Sequence, residues 1–419
     1  MPETCDVAII GAGVIGCAIA HRLGSQGRSV VVVDKAPRVG LGASDAAVGG
    51  ILTQTEPACV GPLTVVIGRS REMYPAWLDE LREASGSPLP VLEGGDIQVA
   101  LDETEMERLV TEVLPQWREL PFKISQLSAA EARELEPLLS ESVVGGFLLP
   151  EELALDPRDL MAALARTLAC GRAGVRVLTG TRVTCLRSLP GAAELTLDDG
   201  TLISAGTVVV AAGHRSAGFL PDLRHHLFPI KGEAFDTRPP GATTYPLRHH
   251  VFTEVREGDF EGFPYLVPRH DGRVAVGVTY EPHVRNRRAT GRARAEILRG
   301  VAALMPVAAT WPIERHWAGL RPGSTDHRPV IGFVDDHDRV LAATGHSGLG
   351  VTLAPVTAEL VAALIDRSVT AEARDMLDVC RPDREFVPIA EAPPPKAEGT
   401  PLTQEAPLTP AETRLPTAP

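Results

Sequence analysis

Residues 5–34, CDVAIIGAGVIGCAIAHRLGSQGRSVVVVD, decide the fold of this chain. A short apolar run precedes the pattern GAGVIG, and a second apolar run ends at Asp34. This is the strand–turn–helix–strand order of a dinucleotide-binding βαβ unit. Gly11 permits the sharp turn, Gly13 lets the backbone approach a pyrophosphate, and Gly16 lets the helix pack closely on the strands.

The ends of this unit supply the groups that a dinucleotide needs. The helix N-terminus offers unpaired N–H groups and a positive dipole end to phosphates. Asp34 can accept a hydrogen bond from a ribose hydroxyl. The alternative is a purely structural βαβ unit, which the combination of strand, helix and acid disfavours. The stretch does not distinguish NAD from FAD.

The composition limits the class of protein. A chain of 419 residues exceeds one ordinary core, so we expect two domains, and 39 glycines suit an α/β protein. The net charge of −13 argues against a nucleic-acid or anionic-membrane surface. The six cysteines are scattered without a CxxC pair, which is typical of reduced thiols. The scattered cysteines also predict no metal site. With no signal peptide and no apolar segment long enough to span a bilayer, we expect a cytoplasmic protein.

Three later stretches are predicted to face the same ligand. The loop 40–52 is rich in glycine and alanine, which allows close approach to a flat ligand, although a flexible surface loop is the alternative. The run TVVVAAG at 207–213 is typical of a parallel strand buried on both faces, with its end on the ligand side. A second glycine turn, GHSGLG at 345–350, opens a predicted helix over 351–365.

The nucleotide unit is interrupted twice by strand-rich segments and resumes late in the chain. This late return favours FAD over NAD, because the ring of an extended FAD must be held by distant segments. We therefore predict an α/β protein, in which a Rossmann-type FAD-binding domain carries an inserted, mainly antiparallel β-sheet substrate domain of α+β type. The predicted FAD-binding domain comprises residues 1–84, 148–227 and 313–380, the substrate domain comprises 85–147 and 228–312, and the Pro-rich segment 381–419 is a disordered tail.

The residues also resemble the D-amino-acid oxidase-like family of FAD-dependent oxidoreductases, most closely its glycine oxidases of thiamine biosynthesis. The matching stretches run in order through residues 8–355, and the last three are more specific than the first glycine pattern. They are AIIGAGVIG, VVVVDK, GASDAAVGGILTQTE, ELEPLL, LDPRDL, TVVVAAG, PIKGE, YLVPRHDGRVAVGVTYE, WAGLRPGSTDHRPVIG and GHSGLGVTLAP.

The resemblance implies FAD as the cofactor. It implies that the first glycine turn contacts the pyrophosphate, that Val183 lies near the adenine end, and that the late turn surrounds the flavin ring. The implied cofactor-binding residues are Gly11, Gly13, Val14, Ile15, Gly16, Asp34, Lys35, Ala43, Ser44, Val48, Gly49, Gly50, Val183, Gly213, His346, Ser347, Gly348, Leu349, Gly350, Val351 and Thr352.

The resemblance further implies two catalytic, substrate-binding side chains. Arg321 matches the arginine that binds the substrate carboxylate, which a guanidinium does with two parallel hydrogen bonds. The alternative is a structural ion pair between Arg321 and Asp326. Tyr265 matches an active-site aromatic residue, and the alternative is a core strand residue. We interpret His346 as a turn residue near the flavin rather than as a proton carrier.

Two departures from the family affect the substrate pocket. Gly348 stands where some glycine oxidases carry a second arginine, and Phe263 stands where some carry a histidine. We therefore expect Gly348 to line a more open and apolar substrate site. Sarcosine, proline-like amino acids and opines then become candidate substrates beside glycine.

The implied function is the oxidation of a small amino acid or secondary amine at its CH–NH or CH–NH2 group. Arg321 would fix the carboxylate, the neutral amine would supply the electronic push, and hydride would pass to flavin N5 without a protein base. The imine would hydrolyse to a keto acid and ammonia or an amine, and O2 would be reduced to H2O2.

Two alternatives stay open. An amino acid, opine or hydroxyproline dehydrogenase subunit would pass the electrons to another acceptor. A non-catalytic flavin-binding subunit would keep the nucleotide only for structure. The expected partners are the small substrate and O2 or an electron acceptor, with no nucleic acid and no membrane span, and the sequence is compatible with a homo-oligomer.

Overall fold

The computed structural model describes residues 3–55, 59–170, 174–257 and 260–388. Its strands are β1 (Glu3–Ile10), β2 (Val30–Asp34), β3 (Gly50–Ile51), β4 (Val91–Leu92), β5 (Asp96–Ala100), β6 (Ser125–Ser128), β7 (Gly145–Leu149), β8 (Leu153–Leu155), β9 (Val175–Thr179), β10 (Val183–Ser188), β11 (Ala193–Leu197), β12 (Leu202–Val210), β13 (Leu227–Thr237), β14 (His250–Phe252), β15 (Val255–Glu257), β16 (Phe260–Gly262), β17 (Tyr265–Pro268), β18 (Val274–Gly277), β19 (Glu281–Pro282), β20 (Ile313–Ser324), β21 (Val330–Phe333) and β22 (Val340–Thr344). Its α-helices are α1 (Val14–Ser25), α2 (Ala43–Ala46), α3 (Thr64–Ser85), α4 (Glu103–Arg108), α5 (Leu114–Arg118), α6 (Ala129–Leu135), α7 (Pro157–Ala169), α8 (Gly291–Leu304), α9 (Ala354–Ile365) and α10 (Ala371–Cys380).

The first sheet is the predicted nucleotide-binding sheet. Its strand order is β10-β11-β12-β1-β2-β9, and β22 continues it beside β12. β1 pairs in parallel with β2 and β12, and β12 pairs in parallel with β22. Valine, isoleucine and alanine fill these central strands, and α1, α3, α7 and α9 bury one face of the sheet. Such continuous apolar runs are typical of parallel strands that are covered on both faces.

The second sheet is mainly antiparallel, as predicted. Its strand order is β19-β13-β18-β17-β14-β5-β7-β6, with β20 paired along the other side of β13. Only the pairing of β14 with β5 is parallel within the described part of this sheet. One face packs against α8. The other face meets the first domain at α2, where Trp317 Nε1 donates to the Ala46 carbonyl at 3.0 Å. The predicted fold class is confirmed.

The predicted domain boundaries differ from the strand pairing at two places. The boundary at 147/148 falls within β7, which pairs with β5 and β6 of the second sheet. The boundary at 312/313 assigns β20 to the first domain, but β20 pairs with β13 over its length. In the sequence, β20 comes directly before β21 and β22, which belong to the first sheet. The sequence alone therefore does not show that β20 pairs with β13 of the second sheet.

The predicted disordered tail begins too early, because residues 381–388 are ordered against the second half of the chain. Arg384 is only 7 % exposed, and its Nε and Nη2 donate to the two carboxylate oxygens of Asp326 at 2.8 and 2.9 Å. The Phe386 ring stacks on His226 with centroids 4.1 Å apart. These contacts outweigh the proline-rich composition. The rest of the predicted tail, residues 389–419, lies outside the described residues.

Candidate active site

The carboxyl ends of β1, β12 and β22 meet at one edge of the first sheet. Each strand is followed by a glycine with a positive φ, namely Gly11 at +111°, Gly213 at +58° and Gly345 at +75°. Thr344 Oγ1 donates to the Gly213 carbonyl at 3.2 Å and ties the last two turns together. The glycine turns predicted to face one ligand therefore lie at the edge where doubly wound sheets bind ligands.

The glycines of the first turn have different roles. A Cβ added to Gly11 would lie 2.4 Å from the Ala211 carbonyl oxygen, and one added to Gly16 would lie 1.9 Å from the Gly11 oxygen. The packing of the backbone therefore requires glycine at both positions. A Cβ on Gly13 would approach only Ser44 Oγ, at 3.3 Å. Only this one side-chain oxygen is near Gly13, in contrast to the backbone clashes at Gly11 and Gly16, which fits its predicted role beside a pyrophosphate.

Asp34 ends β2 next to this turn. The backbone N–H of Ala12 donates to Asp34 Oδ2 at 2.7 Å, and that of Ala36 donates to Oδ1 at 2.8 Å. These bonds fix the carboxylate, and each oxygen keeps a lone pair for a ribose hydroxyl. Burial and the neighbouring Arg215 charge lower the pKa of Lys35. The end of β2 therefore presents both an acceptor and a cation.

A second-domain arginine supports the small-residue loop, and the sequence analysis missed it. Arg269 is buried, and its Nη2 donates to the Val48 carbonyl while its Nη1 donates to the Leu155 carbonyl at 2.8 Å. At the other end of the loop, Ser44 Oγ accepts a hydrogen bond from the Val14 N–H at 2.9 Å. The signal that could have found Arg269 is its place in the motif YLVPR.

The remaining predicted cofactor-binding residues of the first half of the chain lie in α1, α2, β3 and β10 or directly before them. Thr181 N–H donates to the Asp34 carbonyl at 3.1 Å, which brings the start of β10 to the end of β2. The predicted cofactor-binding residues in question are Ile15 in α1, Ala43 in α2, Gly49 with a φ of +85°, Gly50 in β3 and Val183 in β10.

The late glycine turn differs from its prediction in one respect. Residues 347–350 form a 3-10 turn, and α9 begins at Ala354 rather than at Val351. Pro355 explains the later start, because proline is tolerated only in the first turn of a helix. Thr352 is buried, and its Oγ1 accepts from the Leu52 N–H at 3.0 Å. The late turn thus joins the loop that follows β3, and it carries Ser347, Gly348, Leu349, Gly350 and Val351.

His346 is held as a neutral side chain. It is buried, and its Nε2 lies 3.0 Å from Thr357 Oγ1 on α9. Burial lowers the pKa of His346 to about 3. The imidazole is therefore unprotonated near neutral pH, which agrees with a structural role in the turn rather than a proton-carrying role.

Arg321 and Tyr265 lie on one face of the second sheet. Tyr265 pairs directly with Gly277, Gly277 with Ala234, and Ala234 with Trp317. Directly paired residues share a face, and Arg321 follows Trp317 by four residues on β20. Because Trp317 contacts the Ala46 carbonyl, this face is turned toward the loop 40–52, which is predicted to bind the cofactor.

Glycines form the floor between these two side chains, a feature that the sequence analysis did not identify. A Cβ on Gly232 would lie 2.2 Å from Arg321 Nη1, and a Cβ on Gly277 would lie 2.5 Å from Tyr265 Oη. The guanidinium and the phenol thus lie over two glycines on neighbouring strands. Diagonal neighbours of this kind are separated by about 7–8 Å, which suits a molecule with few heavy atoms. The glycines of PIKGE and RVAVGVTYE were the available signal.

Arg321 has no ion-pair partner among the residues that the structure describes. Its Nη1 makes a long contact of 3.5 Å with the Thr279 carbonyl. Asp326 instead binds Arg384 and Arg328. The alternative of a structural Arg321–Asp326 pair is therefore wrong, and the guanidinium is available to an anion.

The two departures from the family pattern are found in different surroundings. Gly348 lies in the late turn and is partly exposed. Phe263, two residues before Tyr265, is 49 % exposed. Neither position supplies a polar side chain for a substrate carboxylate. Arg321 is therefore the cation that the described pocket residues offer.

Comparisons with known proteins show the family of this chain. Residues 6–364 match the family model DAO, FAD dependent oxidoreductase. The chain is 33 % identical over 374 residues to a glycine oxidase of Geobacillus kaustophilus, which covers 88 % of this chain and 95 % of the relative. It superposes on a crystal structure of glycine oxidase from Geobacillus kaustophilus with a TM-score of 0.79 and 32 % identity, covering 88 % of this chain and 96 % of that one.

A further relative is a protein of another name. The chain is 26 % identical over 414 residues to the hydrogen cyanide synthase subunit HcnC of Pseudomonas aeruginosa, covering 89 % of this chain and 94 % of the relative. The family itself is clear from the match over most of the chain. This protein belongs to the DAO family of FAD-dependent oxidoreductases.

FAD is therefore the cofactor, which resolves the choice between NAD and FAD that the first glycine pattern left open. The residues of the first glycine turn and Asp34 fit FAD. Gly13 leaves room at the N-terminus of α1, where Ser44 Oγ takes the Val14 N–H and the N-cap residue itself has no side chain, and Asp34 keeps acceptor sites for a ribose hydroxyl. Within the described residues, no helix is both long and apolar enough to cross a membrane.

Proposed function

We propose that this protein oxidises a small amino acid or secondary amine, such as glycine or sarcosine, at its carbon–nitrogen bond. The observation that carries the proposal is the Arg321 guanidinium, which lies over Gly232 without a carboxylate partner among the described residues. The glycine oxidase relative, at 33 % identity, supports the same chemistry.

Arg321 would bind the substrate carboxylate with two parallel hydrogen bonds, and this fixes the orientation of the α-carbon. Tyr265 would form the opposite wall, and the glycine floor would leave room for the substrate backbone. FAD, when bound, supplies the acceptor for the hydride that leaves the α-carbon. His346 is neutral and bound to Thr357, so we assign it no proton transfer. The substrate amine would lose its proton on binding, and most of the acceleration would come from positioning.

The products follow from the bonds that change. Loss of hydride from the α-carbon and of a proton from the amine converts the C–N bond to C=N. Water then hydrolyses the imine to a keto acid and ammonia or an amine. We propose O2 as the electron acceptor, which gives H2O2.

The second candidate is a dehydrogenase subunit that passes the electrons to another acceptor. Two observations favour considering it: Gly348 stands where some glycine oxidases have an arginine, and a relative is a hydrogen cyanide synthase subunit. A dehydrogenase would use the same Arg321 site.

Steady-state turnover of the FAD-loaded protein tests the proposal. Glycine, sarcosine, proline and alanine, with both enantiomers where they exist, should be compared for O2 consumption and H2O2 release. An oxidase releases one H2O2 for each keto acid. Turnover that requires an artificial dye and releases no H2O2 would favour the dehydrogenase. Absence of turnover with every amine under both conditions would reject both.

A further inference from the structure

A group of buried polar side chains lies on the far side of Tyr265. Asp96 on β5 pairs directly with His250 on β14. The His250 ring meets the Tyr265 ring edge-on, with centroids 5.6 Å apart. Phe252, two residues after His250, pairs directly with Tyr265. Asp96 and His250 therefore lie on the sheet face that carries the proposed substrate residues.

These side chains are poorly satisfied within the protein. His250 Nδ1 lies 2.7 Å from Asp96 Oδ2, so the imidazole and the carboxylate form one close buried pair. In the described part of the chain, no hydrogen bond reaches the side-chain amide of Gln54, and the Asp96 carboxylate and the His250 ring nitrogens have no partner besides each other; all three residues are buried. Buried polar atoms without partners are rare and call for a ligand or water.

Glu152 adds a second buried carboxylate. Its two oxygens accept from the backbone N–H groups of Thr53 and Gln54, each at 2.7 Å. Burial raises the pKa of Asp96, and burial together with the charge of Asp96 raises the pKa of Glu152. Among the described residues, no lysine or arginine forms an ion pair with either carboxylate. The protein thus gathers acidic groups here without supplying a fixed cation.

We infer that Asp96, Glu152, His250 and Gln54 form a distal substrate subsite that binds a cationic group. The inference rests on the amino acid oxidation proposed above. β14 lies two strands from the Gly277 floor, a distance of about 10 Å at the spacing of a β-sheet. Glycine does not reach so far. The subsite fits an amino acid whose side chain or N-substituent extends several atoms beyond the α-carbon to an ammonium or a guanidinium.

The polar groups of the subsite indicate which kind of substrate end binds there. An ammonium or guanidinium donates to carboxylate and amide oxygens and relieves the unpaired buried charge. An anionic end would face two carboxyl groups and only one imidazole. An apolar end would leave the Gln54 amide without a partner and Asp96 with His250 alone, which costs free energy.

Matched substrates test the subsite without any mutation. The FAD-loaded full-length protein should oxidise arginine with a kcat/KM at least about tenfold above that of citrulline, its neutral analogue, for the enantiomer that reacts. Lysine and norleucine form a second pair. Equal values within both pairs, while glycine or sarcosine is oxidised, would overturn the inference and leave the proposed function intact. No flavin reduction by any of these compounds would contradict the proposed function instead.

A variant then assigns the effect to Asp96. Asp96→Asn should lower kcat/KM for arginine at least about tenfold more than for glycine, because it removes the charge but little volume. Equal losses for both substrates would show that Asp96 only supports the fold and would overturn its assignment. If Asp96→Asn does not retain FAD, Glu152→Gln with the same substrate pairs serves as the second variant, and an unchanged arginine-to-citrulline ratio there counts against the subsite.

Discussion

The guanidinium of Arg321 lies directly over Gly232 on the neighbouring strand, so close that an added Cβ would come within 2.2 Å of Nη1. The pairing of β13 with β20 places these residues together. The glycine lets a long cationic side chain lie flat along the sheet. An arginine held in this way, without a carboxylate of its own among the described residues, can orient a small anion.

Replacing Arg321 tests the carboxylate contact. Arg321→Ala should lower kcat/KM for glycine or sarcosine about 30- to 150-fold, since a charge-assisted bidentate contact contributes about 2–3 kcal/mol. Arg321→Lys keeps the charge but loses the paired geometry, so its value should fall between wild type and Arg321→Ala. FAD should stay bound in both variants. Release of FAD with an unchanged KM would contradict the assignment.

Replacing Gly232 tests the floor beneath the guanidinium. Gly232→Ala should displace Arg321 and raise the apparent KM by about tenfold or more without loss of FAD. Gly191→Ala is the control, because a Cβ there meets nothing within 4 Å. Steady-state kinetics of the two variants make the comparison. A Gly232→Ala enzyme with a wild-type KM would mean that the substrate carboxylate binds elsewhere.

The first turn offers a test that separates packing from cofactor binding. Gly11→Ala should destabilise the apoprotein, because its φ of +111° and the 2.4 Å approach to Ala211 both exclude a side chain. Gly13→Ala should leave the apoprotein's Tm within ~2 °C of wild type but weaken FAD binding about tenfold or more. Thermal unfolding and FAD titration provide both readings. A Gly13→Ala protein that binds FAD normally would remove Gly13 from the pyrophosphate site.

The neutral His346 should leave a signature in acid stability. The folded pKa of about 3 lies below the ordinary value of 6.5. As pH falls below about 6.5, His346 binds a proton in the unfolded chain but not in the folded protein. Stability is therefore lost progressively down to about pH 3. Between pH 7.5 and 4.5, His346→Gln should lose about 2–3 kcal/mol less stability than wild type in urea unfolding of the apoprotein. Identical losses would show that His346 is protonated in the fold.

The buried pair of Asp326 and Arg384 should stabilise the protein. Arg384→Ala leaves the buried Asp326 carboxylate with Arg328 alone and should cost about 2–3 kcal/mol, whereas Arg381→Ala, at an exposed pair with Asp383, should cost little. Urea unfolding at pH 7 compares the two variants. Equal stabilities would contradict the importance of the Arg384 contact.

The same pair predicts a pH dependence. Burial alone would raise the pKa of Asp326, but the hydrogen bonds and charge of Arg384 lower it overall. A lowered folded pKa gives stability that is fully present above the unfolded pKa of about 3.9 and is lost as pH falls through the folded value. Arg384→Ala should therefore lose less stability than wild type on acidification below about pH 4. A steeper acid loss in the variant would reverse the assignment.

The sequence predicted what depends on local pattern. The glycines of the first turn, Asp34 and the two-domain order follow from neighbouring residues and their spacing. The glycine floor did not follow, because it depends on the register between β13, β18 and β20. Asp96 and His250 are 154 positions apart in the sequence, and neither lies in a local motif that predicts a site residue. The ordered segment 381–388 was missed because composition does not reveal that Asp326 needs Arg384.

The central claim is that Arg321 orients a small amine over the cofactor site. Anaerobic mixing of the FAD-loaded protein with glycine or sarcosine, followed by the loss of flavin absorbance, tests it most directly. Wild type should bleach with a rate that saturates with substrate, and Arg321→Ala should need a far higher concentration to reach the same rate. Flavin that stays oxidised with every small amino acid, or that bleaches equally in both proteins, would contradict the account.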